Sequence, residues 1–339
     1  MSCKMLLFDF RESEEIFFKK NNFSNFEIKF FKENLDESTL DMLSEEDFEE
    51  TMIISVFITS TINEKVISKF KNLRVISTRS TGYDHICLNS CVNKHIALIN
   101  VSSYGVTSVA QFTIGVLISL VRNLNSAIGA VYDDSFHSLD FCGRDLNTMT
   151  LGIIGTGAIG KSVIKMASCF GMKILAYDIQ QQKELIENFL VEYVELETLL
   201  ANADVISLHL PYTKNNYHMI SSEQFEKMKD GVYFINVSRG ELVNTNALAE
   251  FAKNGKFRGI ALDVVACPDV NSDKYGKRER SSVFCVETSK SVRELSKMPN
   301  VILTPHMAYN TQESVDYILK VTFESLSDYV TGGRKNRVI

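Results

Sequence analysis

The chain has 339 residues, of which 45% are hydrophobic and 23% are charged, a composition that is ordinary for a globular protein. At roughly 150 residues per domain, this length predicts about two domains. The net charge of -6 gives no electrostatic support to nucleic-acid binding. The longest apolar-rich stretch, Val109 to Val121, is too short to cross a bilayer as a helix.

The cysteines point to a reducing compartment. All seven are scattered along the chain, and none forms a Cys-x-x-Cys pair. Cys87 and Cys91 lie four residues apart, but no nearby pair of cysteines or histidines completes a zinc site. The apolar run from Met5 to Phe8 is too short for a signal peptide. We therefore expect a cytoplasmic protein without a disulfide framework or a structural metal.

Short apolar runs alternate with polar helical segments along the N-terminal part of the chain. This alternation predicts a parallel sheet that is covered by helices. The predicted strands are Cys3–Phe8, Phe26–Phe30, Met52–Ile58, Arg74–Ser77 and Ala97–Asn100, and the predicted helices are Glu12–Asn22, Asp36–Leu43 and Asn63–Phe70.

A long helix is predicted from Thr107 to Tyr132, because this segment contains no proline. A second alternating series follows, and a last helix, Thr311–Thr331, has apolar residues at helical spacing. The segment Val270–Lys297 is long and charged, and such a loop in a compact domain is usually functional or disordered. The strands predicted in this second series are Met149–Ile154, Lys173–Asp178, Asp204–Leu208, Val232–Val237, Phe257–Leu262 and Val301–Leu303, and the helices are Ala158–Phe170, Leu185–Phe189, Leu196–Ala201, Ser222–Lys227 and Thr245–Asn254.

A Gly-x-Gly-x-x-Gly run occupies Gly155–Gly160, between a predicted strand and a predicted helix. Gly155 permits the tight turn, Gly157 lets the backbone approach a pyrophosphate, and Gly160 lets helix and strand pack closely. The helix N-terminus presents free N–H groups to the phosphates. Asp178 ends the next strand, where a carboxylate accepts hydrogen bonds from a ribose diol and repels a 2′-phosphate. These features predict a dinucleotide site that favours NAD over NADP.

Six motifs occur in the order found in the D-2-hydroxyacid dehydrogenases, so the chain resembles that family over nearly its whole length. Ser77–Ser80 and Met298–Tyr309 are most similar to the D-lactate dehydrogenase branch, including the vancomycin-resistance type. The six motifs are Gly155–Gly160, Asp178, His209-Leu210-Pro211, Asn236–Gly240, Ala261–Val264 and Thr304-Pro305-His306.

The resemblance implies an α/β fold of two doubly wound parallel-sheet domains, a Rossmann-type cofactor domain and a flavodoxin-like substrate domain, with the active site in the cleft. The substrate domain would be discontinuous, at residues 1–101 and 307–339, and the NAD-binding domain would span residues 102–306. A homodimer is expected as well.

Two residues suit the reduction of a 2-oxo acid. The substrate needs a cation for its carboxylate and carbonyl oxygen, and the guanidinium fork of Arg239 matches a carboxylate. It also needs a proton donor, and the imidazole of His306 can donate near neutral pH. The alternatives are an arginine that ties a strand end to a helix and a hydrogen-bonded loop histidine. The motif around each residue favours the catalytic role.

The resemblance implies further contacts with cofactor and substrate. Asp263 would accept a hydrogen bond from the nicotinamide carboxamide, unless it caps the next turn instead. Main-chain N–H groups at Thr81 and Gly82 would bind the substrate carboxylate. Tyr104 and Tyr309 would line the cleft, although either could be a packing residue. The remaining cofactor contacts would be Gly155, Gly157, Ala158, Ile159, Gly160, Leu210, Pro211, Asn216, Val237 and Ser238.

One position departs from the family pattern. The glutamate that pairs with the catalytic histidine lies five residues after the aspartate of the Leu-Asp-Val motif, and here that position is Pro268. Asp269, one residue later, is the first candidate for the missing acid. Glu279 and Glu287 are alternatives in the same charged segment.

The motifs together predict an NAD-dependent oxidoreductase that reduces a small 2-oxo acid such as pyruvate to its D-2-hydroxy acid. The missing glutamate leaves open a catalytically weak NAD(H)-binding protein that senses redox state or binds a partner. A dehydrogenase for a larger acid is compatible with every motif. Neither a nucleic acid nor a membrane is an expected partner.

Overall fold

The computed structural model describes residues 2–102, 104–132, 141–266 and 289–339. The described chain forms two compact units. The first contains the residues up to Tyr104 and those from Asn310 onward, and the second contains the residues between them. Residues 102 and 104 thus lie in the first unit and residues 307–309 in the second, each a few residues from the predicted boundary.

The first unit is built on a five-stranded parallel sheet with the strand order β2-β1-β3-β4-β5. The strands β3 and β4 are buried along their whole length, as expected for a parallel sheet covered on both faces. The strands are β1 (Cys3–Leu7), β2 (Phe26–Phe30), β3 (Ile53–Val56), β4 (Val75–Thr78) and β5 (Ala97–Ile99), and the helices are α1 (Glu15–Lys20), α2 (Glu45–Glu50), α3 (Glu64–Lys69), α4 (Leu88–Asn93) and, at the C-terminus, α13 (Gln312–Val330).

The C-terminal helix packs on the sheet of the first unit. Phe323 and Leu326 of α13 belong to the same buried cluster as Met5, Ile53 and Val75. The chain therefore returns to its first unit after completing the second.

The second unit is built on a seven-stranded parallel sheet with the strand order β12-β11-β10-β9-β6-β7-β8. The direction of winding reverses at β6, which is the position where dinucleotides bind in such sheets. The strands are β6 (Thr150–Ile154), β7 (Lys173–Tyr177), β8 (Glu192–Tyr193), β9 (Val205–Leu208), β10 (Val232–Asn236), β11 (Phe257–Leu262) and β12 (Val301–Leu303), and the helices are α5 (Val106–Val121), α6 (Leu124–Tyr132), α7 (Ala158–Cys169), α8 (Lys183–Phe189), α9 (Leu196–Asn202), α10 (Ser222–Lys227), α11 (Thr245–Lys253) and α12 (Lys290–Leu295).

Two predicted helices are wrong in part. The predicted helix Thr107–Tyr132 is two helices, α5 and α6, bent by 64° where Asn123 takes a positive φ of 53°. The predicted helix Asp36–Leu43 contains only a short 3-10 turn. The α-helix of this region starts later, at α2, where the Ser44 hydroxyl accepts from the Asp47 N–H as an N-cap.

Three short elements were not predicted from the sequence. They are α4, the two-residue edge strand β8, and α12, which lies at the end of the charged segment predicted as a loop. Within the described residues, no single helix is both long and apolar enough to cross a membrane, and only the bent pair of α5 and α6 passes that length and composition test jointly.

Candidate functional site

The glycine-rich turn after β6 has the close contacts that its sequence predicts. Gly155 has a φ of +98°, and a Cβ there would lie 2.7 Å from the carbonyl oxygen of His209. A Cβ on Gly160 would lie 2.0 Å from the carbonyl oxygen of Gly155. These two positions therefore need glycine for the fold itself.

Gly157 is different, because a Cβ there would meet no atom within 4 Å. It is exposed, and it is the N-cap of α7, whose first residues are Ala158 and Ile159. Packing within the fold therefore does not require glycine at position 157. A ligand that approaches the backbone closely would require it, because a side chain would be in the way. Open space at a helix N-terminus fits the pyrophosphate of a dinucleotide.

Asp178 follows β7 and is fixed by the glycine-rich turn. Its Oδ2 accepts from the N–H of Thr156 at 2.6 Å and from the Thr156 hydroxyl at 2.9 Å. Its Oδ1 accepts from the N–H of Gln180 at 3.0 Å. Burial alone would raise the pKa of this carboxyl, but these hydrogen bonds hold the pKa below its usual range. Asp178 is therefore a fixed, ionised acceptor beside the turn.

A tyrosine and a glutamine complete this network. The Tyr193 hydroxyl donates to the Thr156 hydroxyl at 3.0 Å and accepts from the Gln182 N–H at 3.2 Å. The Gln182 side chain donates to the Thr156 carbonyl at 2.6 Å. Neither Tyr193 nor Gln182 was predicted from the sequence, and Tyr193 lies on the unpredicted strand β8.

Of the predicted contacts after β9, Leu210 lies at the same turn. The Leu210 side chain lies 2.8 Å from where a Gly155 Cβ would be, and Pro211 is exposed. The Asn216 side chain is held within its own loop, since it accepts from the Thr213 N–H at 2.7 Å and donates to the Pro211 carbonyl at 2.8 Å. Its contact with the cofactor stays a prediction.

The loop that carries Arg239 is held by the buried amide of Asn236 at the end of β10. Its Oδ1 accepts from the N–H and hydroxyl of Ser238, and its Nδ2 donates to the Arg239 carbonyl at 2.9 Å. The guanidinium donates to the Ser238 carbonyl at 2.8 Å and is partly buried. Val237, also predicted as a cofactor contact, is buried beside this turn.

Gly240 lets the Arg239 loop meet the loop after β11. A Cβ on Gly240 would lie 2.2 Å from the carbonyl carbon of Val265. The predicted cation therefore sits on a loop that packs against the residues following Asp263.

Asp263 is buried at the end of β11 and caps the turn that carries His306. Its Oδ1 accepts from the Thr304 hydroxyl at 2.6 Å and from the Met307 N–H at 2.8 Å, and its Oδ2 accepts from the Ala308 N–H at 2.9 Å. This is the turn-capping role that was the alternative to a nicotinamide contact. The nicotinamide contact itself stays a prediction.

His306 has a positive φ of 52°, which is uncommon for a residue with a side chain. Its N–H donates to the carbonyls of Asp263 and Thr304, each at 3.0 Å. Its ring meets the Tyr309 ring edge to face, with centroids 6.5 Å apart. The turn thus places the His306 imidazole beside the Tyr309 ring.

The pKa of His306 is lowered from its usual value. Burial is the largest cause, the positive charge of Arg239 lowers the pKa further, and the negative charge of Asp263 opposes both effects. His209 cannot replace it as a proton donor, since burial lowers the pKa of that ring to about 3. Asp269, Pro268, Glu279 and Glu287 lie outside the described residues.

Comparison with known proteins identifies the family. A model described as "D-isomer specific 2-hydroxyacid dehydrogenase, NAD binding domain" matches residues 114–308. The chain belongs to the D-isomer-specific 2-hydroxyacid dehydrogenase family. It is an NAD-dependent D-2-hydroxyacid dehydrogenase with two parallel-sheet α/β units, so the predicted family, fold class, enzyme class and cofactor are confirmed.

Two relatives and one solved structure show the extent of the similarity. An aromatic 2-oxoacid reductase of Clostridium sporogenes is 35% identical over 283 residues, 83% of each chain. A D-lactate dehydrogenase of Lactiplantibacillus plantarum is 30% identical over 337 residues, 98% of this chain and 97% of its own. The crystal structure of D-lactate dehydrogenase from Aquifex aeolicus, complexed with NAD and lactic acid, is similar with a TM-score of 0.83 and 33% identity over 98% of both chains.

Asp178 generates the first prediction. Wild type should bind NADH much more tightly than NADPH, because a fixed carboxylate repels a 2′-phosphate. Because the pKa of Asp178 is lowered, its carboxylate is ionised at neutral pH, where the preference should be measured. Asp178→Asn should lower the ratio of the NADPH Kd to the NADH Kd at least about tenfold, which corresponds to a loss of roughly 1.4 kcal/mol of discrimination. Fluorescence titration with both nucleotides measures it.

Glu192→Gln is the matched control, because it removes a carboxylate from the exposed edge strand β8 without touching the glycine-rich turn. It should keep the wild-type preference. Equal NADH and NADPH affinities in wild type would refute the placement of Asp178 at the ribose.

Proposed function

We propose that this dehydrogenase reduces a small, pyruvate-like 2-oxo acid to the D-2-hydroxy acid. One observation carries the proposal: Arg239, Asp263 and His306 follow three neighbouring strands of one sheet, β10, β11 and β12. Because the carboxyl ends of parallel strands meet at one edge, a cation, a turn-capping carboxylate and an imidazole are brought to the same edge as the dinucleotide turn.

The residues divide the reaction between them. NADH, when bound, supplies the hydride. Arg239 holds the substrate carboxylate and polarises the carbonyl oxygen, and the imidazolium of His306 donates the proton that the new hydroxyl needs. Asp263 keeps His306 in place through the main chain of its turn. The main-chain N–H groups of Thr81 and Gly82 bind the substrate carboxylate.

The match to D-lactate dehydrogenases over nearly the whole chain supports a small substrate. The second candidate substrate is an aromatic 2-oxo acid. The similarity to the aromatic 2-oxoacid reductase of Clostridium sporogenes, over 83% of each chain, supports this alternative. Tyr104 and Tyr309 remain the proposed residues at the substrate.

The test is NADH oxidation with a panel of 2-oxo acids of increasing size, including pyruvate and phenylpyruvate. Pyruvate should give the highest kcat/KM. Arg239→Ala should leave NADH affinity nearly unchanged while kcat/KM falls more than about tenfold, a loss above ~1.4 kcal/mol of transition-state stabilisation. Arg239→Lys should rescue only in part, since an ammonium cannot form the bidentate pair.

Three results would change the proposal. A highest kcat/KM with phenylpyruvate would assign the aromatic substrate class instead. More than about a tenth of wild-type activity in Arg239→Ala would remove Arg239 from the reaction. Tight NADH binding without turnover of any acid would support the alternative function, a catalytically weak NAD(H)-binding protein.

The lowered pKa of His306 predicts the pH dependence. Reduction needs the imidazolium, and a lowered pKa means that this form is lost at a lower pH than for an ordinary histidine. The kcat/KM for pyruvate reduction should therefore be greatest on the acidic side and fall as pH rises toward neutral. A positioned general acid contributes roughly 10²–10⁴-fold, so the fall should be large without being absolute.

A pH–rate profile of wild type and of Asp269→Ala, Glu279→Ala and Glu287→Ala distinguishes the cases. If none of these acids pairs with His306, all four profiles should coincide. A wild-type kcat/KM that is flat through neutral pH, and that falls with rising pH in one variant, would contradict the prediction that none of these acids pairs with His306. That variant would identify the partner.

We further propose a cytoplasmic homodimer that uses α6. Leu124, Ile128 and Val131 recur at helical spacing on this helix and are 44%, 55% and 56% exposed, and no residue of α6 is buried in the described chain. Such an apolar face is typical of a protein interface. The free cysteines among the described residues, Cys3, Cys87, Cys91, Cys142 and Cys169, suit a reducing compartment.

Sedimentation equilibrium should show a dimer of the wild type and a shift toward monomer in Ile128→Glu. Ile16→Glu on α1 is the matched control, because Ile16 is 56% exposed and lies in the first unit. It should leave the dimer unchanged. A monomeric wild type, or equal effects of the two variants, would contradict the proposed face.

A further inference from the structure

We infer that His85 is a positioning residue. Through the hydroxyl groups of Thr78 and Ser80, it holds in shape the segment Ser80–Tyr83, which contains the main-chain N–H groups proposed above for the substrate carboxylate. The inference rests on the proposed function and adds Tyr83, His85, Thr78 and Ser80 to the substrate site.

The carbonyls of the segment are all hydrogen-bonded. The Ser80 carbonyl accepts from the Val101 N–H at 3.1 Å. The Thr81 carbonyl accepts from the Asn100 side-chain amide at 2.9 Å. The Gly82 carbonyl accepts from the Ser80 hydroxyl at 2.6 Å. Three consecutive peptide groups are thus held by their oxygen atoms.

The N–H groups of the same three peptides belong to Thr81, Gly82 and Tyr83. None of them has an acceptor in the part of the chain that the structure describes, and Thr81 is exposed. A hydrogen bond to a carbonyl polarises its peptide group and strengthens the N–H on the other side. Successive main-chain N–H groups that converge in a turn can bind an anion.

The direction of the relay follows from counting protons. A carbonyl can only accept, so the single hydroxyl proton of Ser80 is committed to Gly82. The Thr78 hydroxyl, 2.7 Å from Ser80, must then donate to it. Its own proton being committed, Thr78 can only accept from Nε2 of His85 at 3.1 Å. The buried His85 therefore carries a proton on Nε2 and starts the relay.

The residue before the segment is anchored independently. Arg79 is only 2% exposed, and its guanidinium donates to the carbonyls of Phe8 and Asp9 and to the Ser55 hydroxyl. No carboxylate among the described residues lies within ion-pair distance of it. The end of β4 is thus tied to the ends of β1 and β3, so a change in the relay should reshape the segment without moving the strand.

Ser77 offers a matched control on the same strand. Its hydroxyl is buried and has no hydrogen-bond partner in the described residues. Ser77→Ala deletes a buried hydroxyl within β4, and Ser80→Ala deletes a buried hydroxyl just after it. Only Ser80→Ala removes a hydrogen bond to the segment Ser80–Tyr83, the bond to the Gly82 carbonyl.

The experiment measures steady-state pyruvate reduction, NADH affinity, and calorimetric binding of oxamate to the NADH-bound protein. Oxamate has the carboxylate and carbonyl of pyruvate but is not reduced. Ser80→Ala should raise both the KM for pyruvate and the oxamate Kd roughly three- to tenfold, the effect of one hydrogen bond. Its kcat and NADH affinity should change less than about twofold, and Ser77→Ala should match wild type throughout.

His85 is tested through its dependence on Ser80. His85→Phe should raise the KM for pyruvate in the same way, and His85→Gln, which keeps an N–H donor, should restore part of the loss. The double variant with Ser80→Ala should be no worse than Ser80→Ala alone, because both changes break one relay. Thermal unfolding of each variant checks that the fold is retained.

Normal turnover by wild type, with Ser80→Ala indistinguishable from Ser77→Ala, would overturn this inference alone. Equal increases of KM in both serine variants would also overturn it, because the effect would then be strand packing. A wild-type protein that neither reduces a 2-oxo acid nor binds oxamate with NADH would overturn the proposed function, and the relay with it.

Discussion

The Asp263 carboxylate is the constraint on which the second unit's site depends. It is buried where β11 ends, and it accepts three hydrogen bonds from the turn after β12. These bonds offset the cost of burying the carboxylate, and losing one of them would destabilise the turn. The same bonds hold His306 at a φ of 52°, a conformation that needs support from its surroundings. The Asp263 side chain therefore stabilises both the fold and the turn that carries the proposed proton donor, His306.

A second constraint is the close approach of neighbouring loops. Gly155 lies against the His209 carbonyl, and Gly240 lies against the carbonyl carbon of Val265. In each case a methyl group would overlap main-chain atoms, which cannot move aside as a flexible side chain can. The dinucleotide turn and the Arg239 loop are each fixed in this way to the loop after an adjacent strand. Loop positions at the edge of this sheet are consequently set by backbone packing.

The sequence predicted the parts of this structure that depend on local pattern. Strands such as Val301–Leu303 are continuous apolar runs, and Gly155–Gly160 has a fixed spacing, so both were located correctly from the sequence. The break at Asn123 was not predicted, because it depends on a left-handed residue inside a long segment that contains no proline. Nor was the relay from His85 to Gly82, since its residues come together only when β4 and its loop fold.

Both proposed ligands are anions, yet the chain carries a net charge of -6. Attraction by the overall charge is therefore excluded, and surface charges are screened within about 8 Å at physiological salt. Two local features remain: the N-terminus of α7, proposed for a pyrophosphate, and the N–H groups after β4, proposed for a carboxylate, which have no acceptor among the described residues. Neutral peptide dipoles can bind an anion well only if they are held in place before it arrives, because the free-energy cost of reorienting them would cancel the electrostatic stabilisation. The Thr156 and Ser80 networks, one in each unit, supply that rigidity, and Arg239 is the charged group proposed to act on the substrate carbonyl.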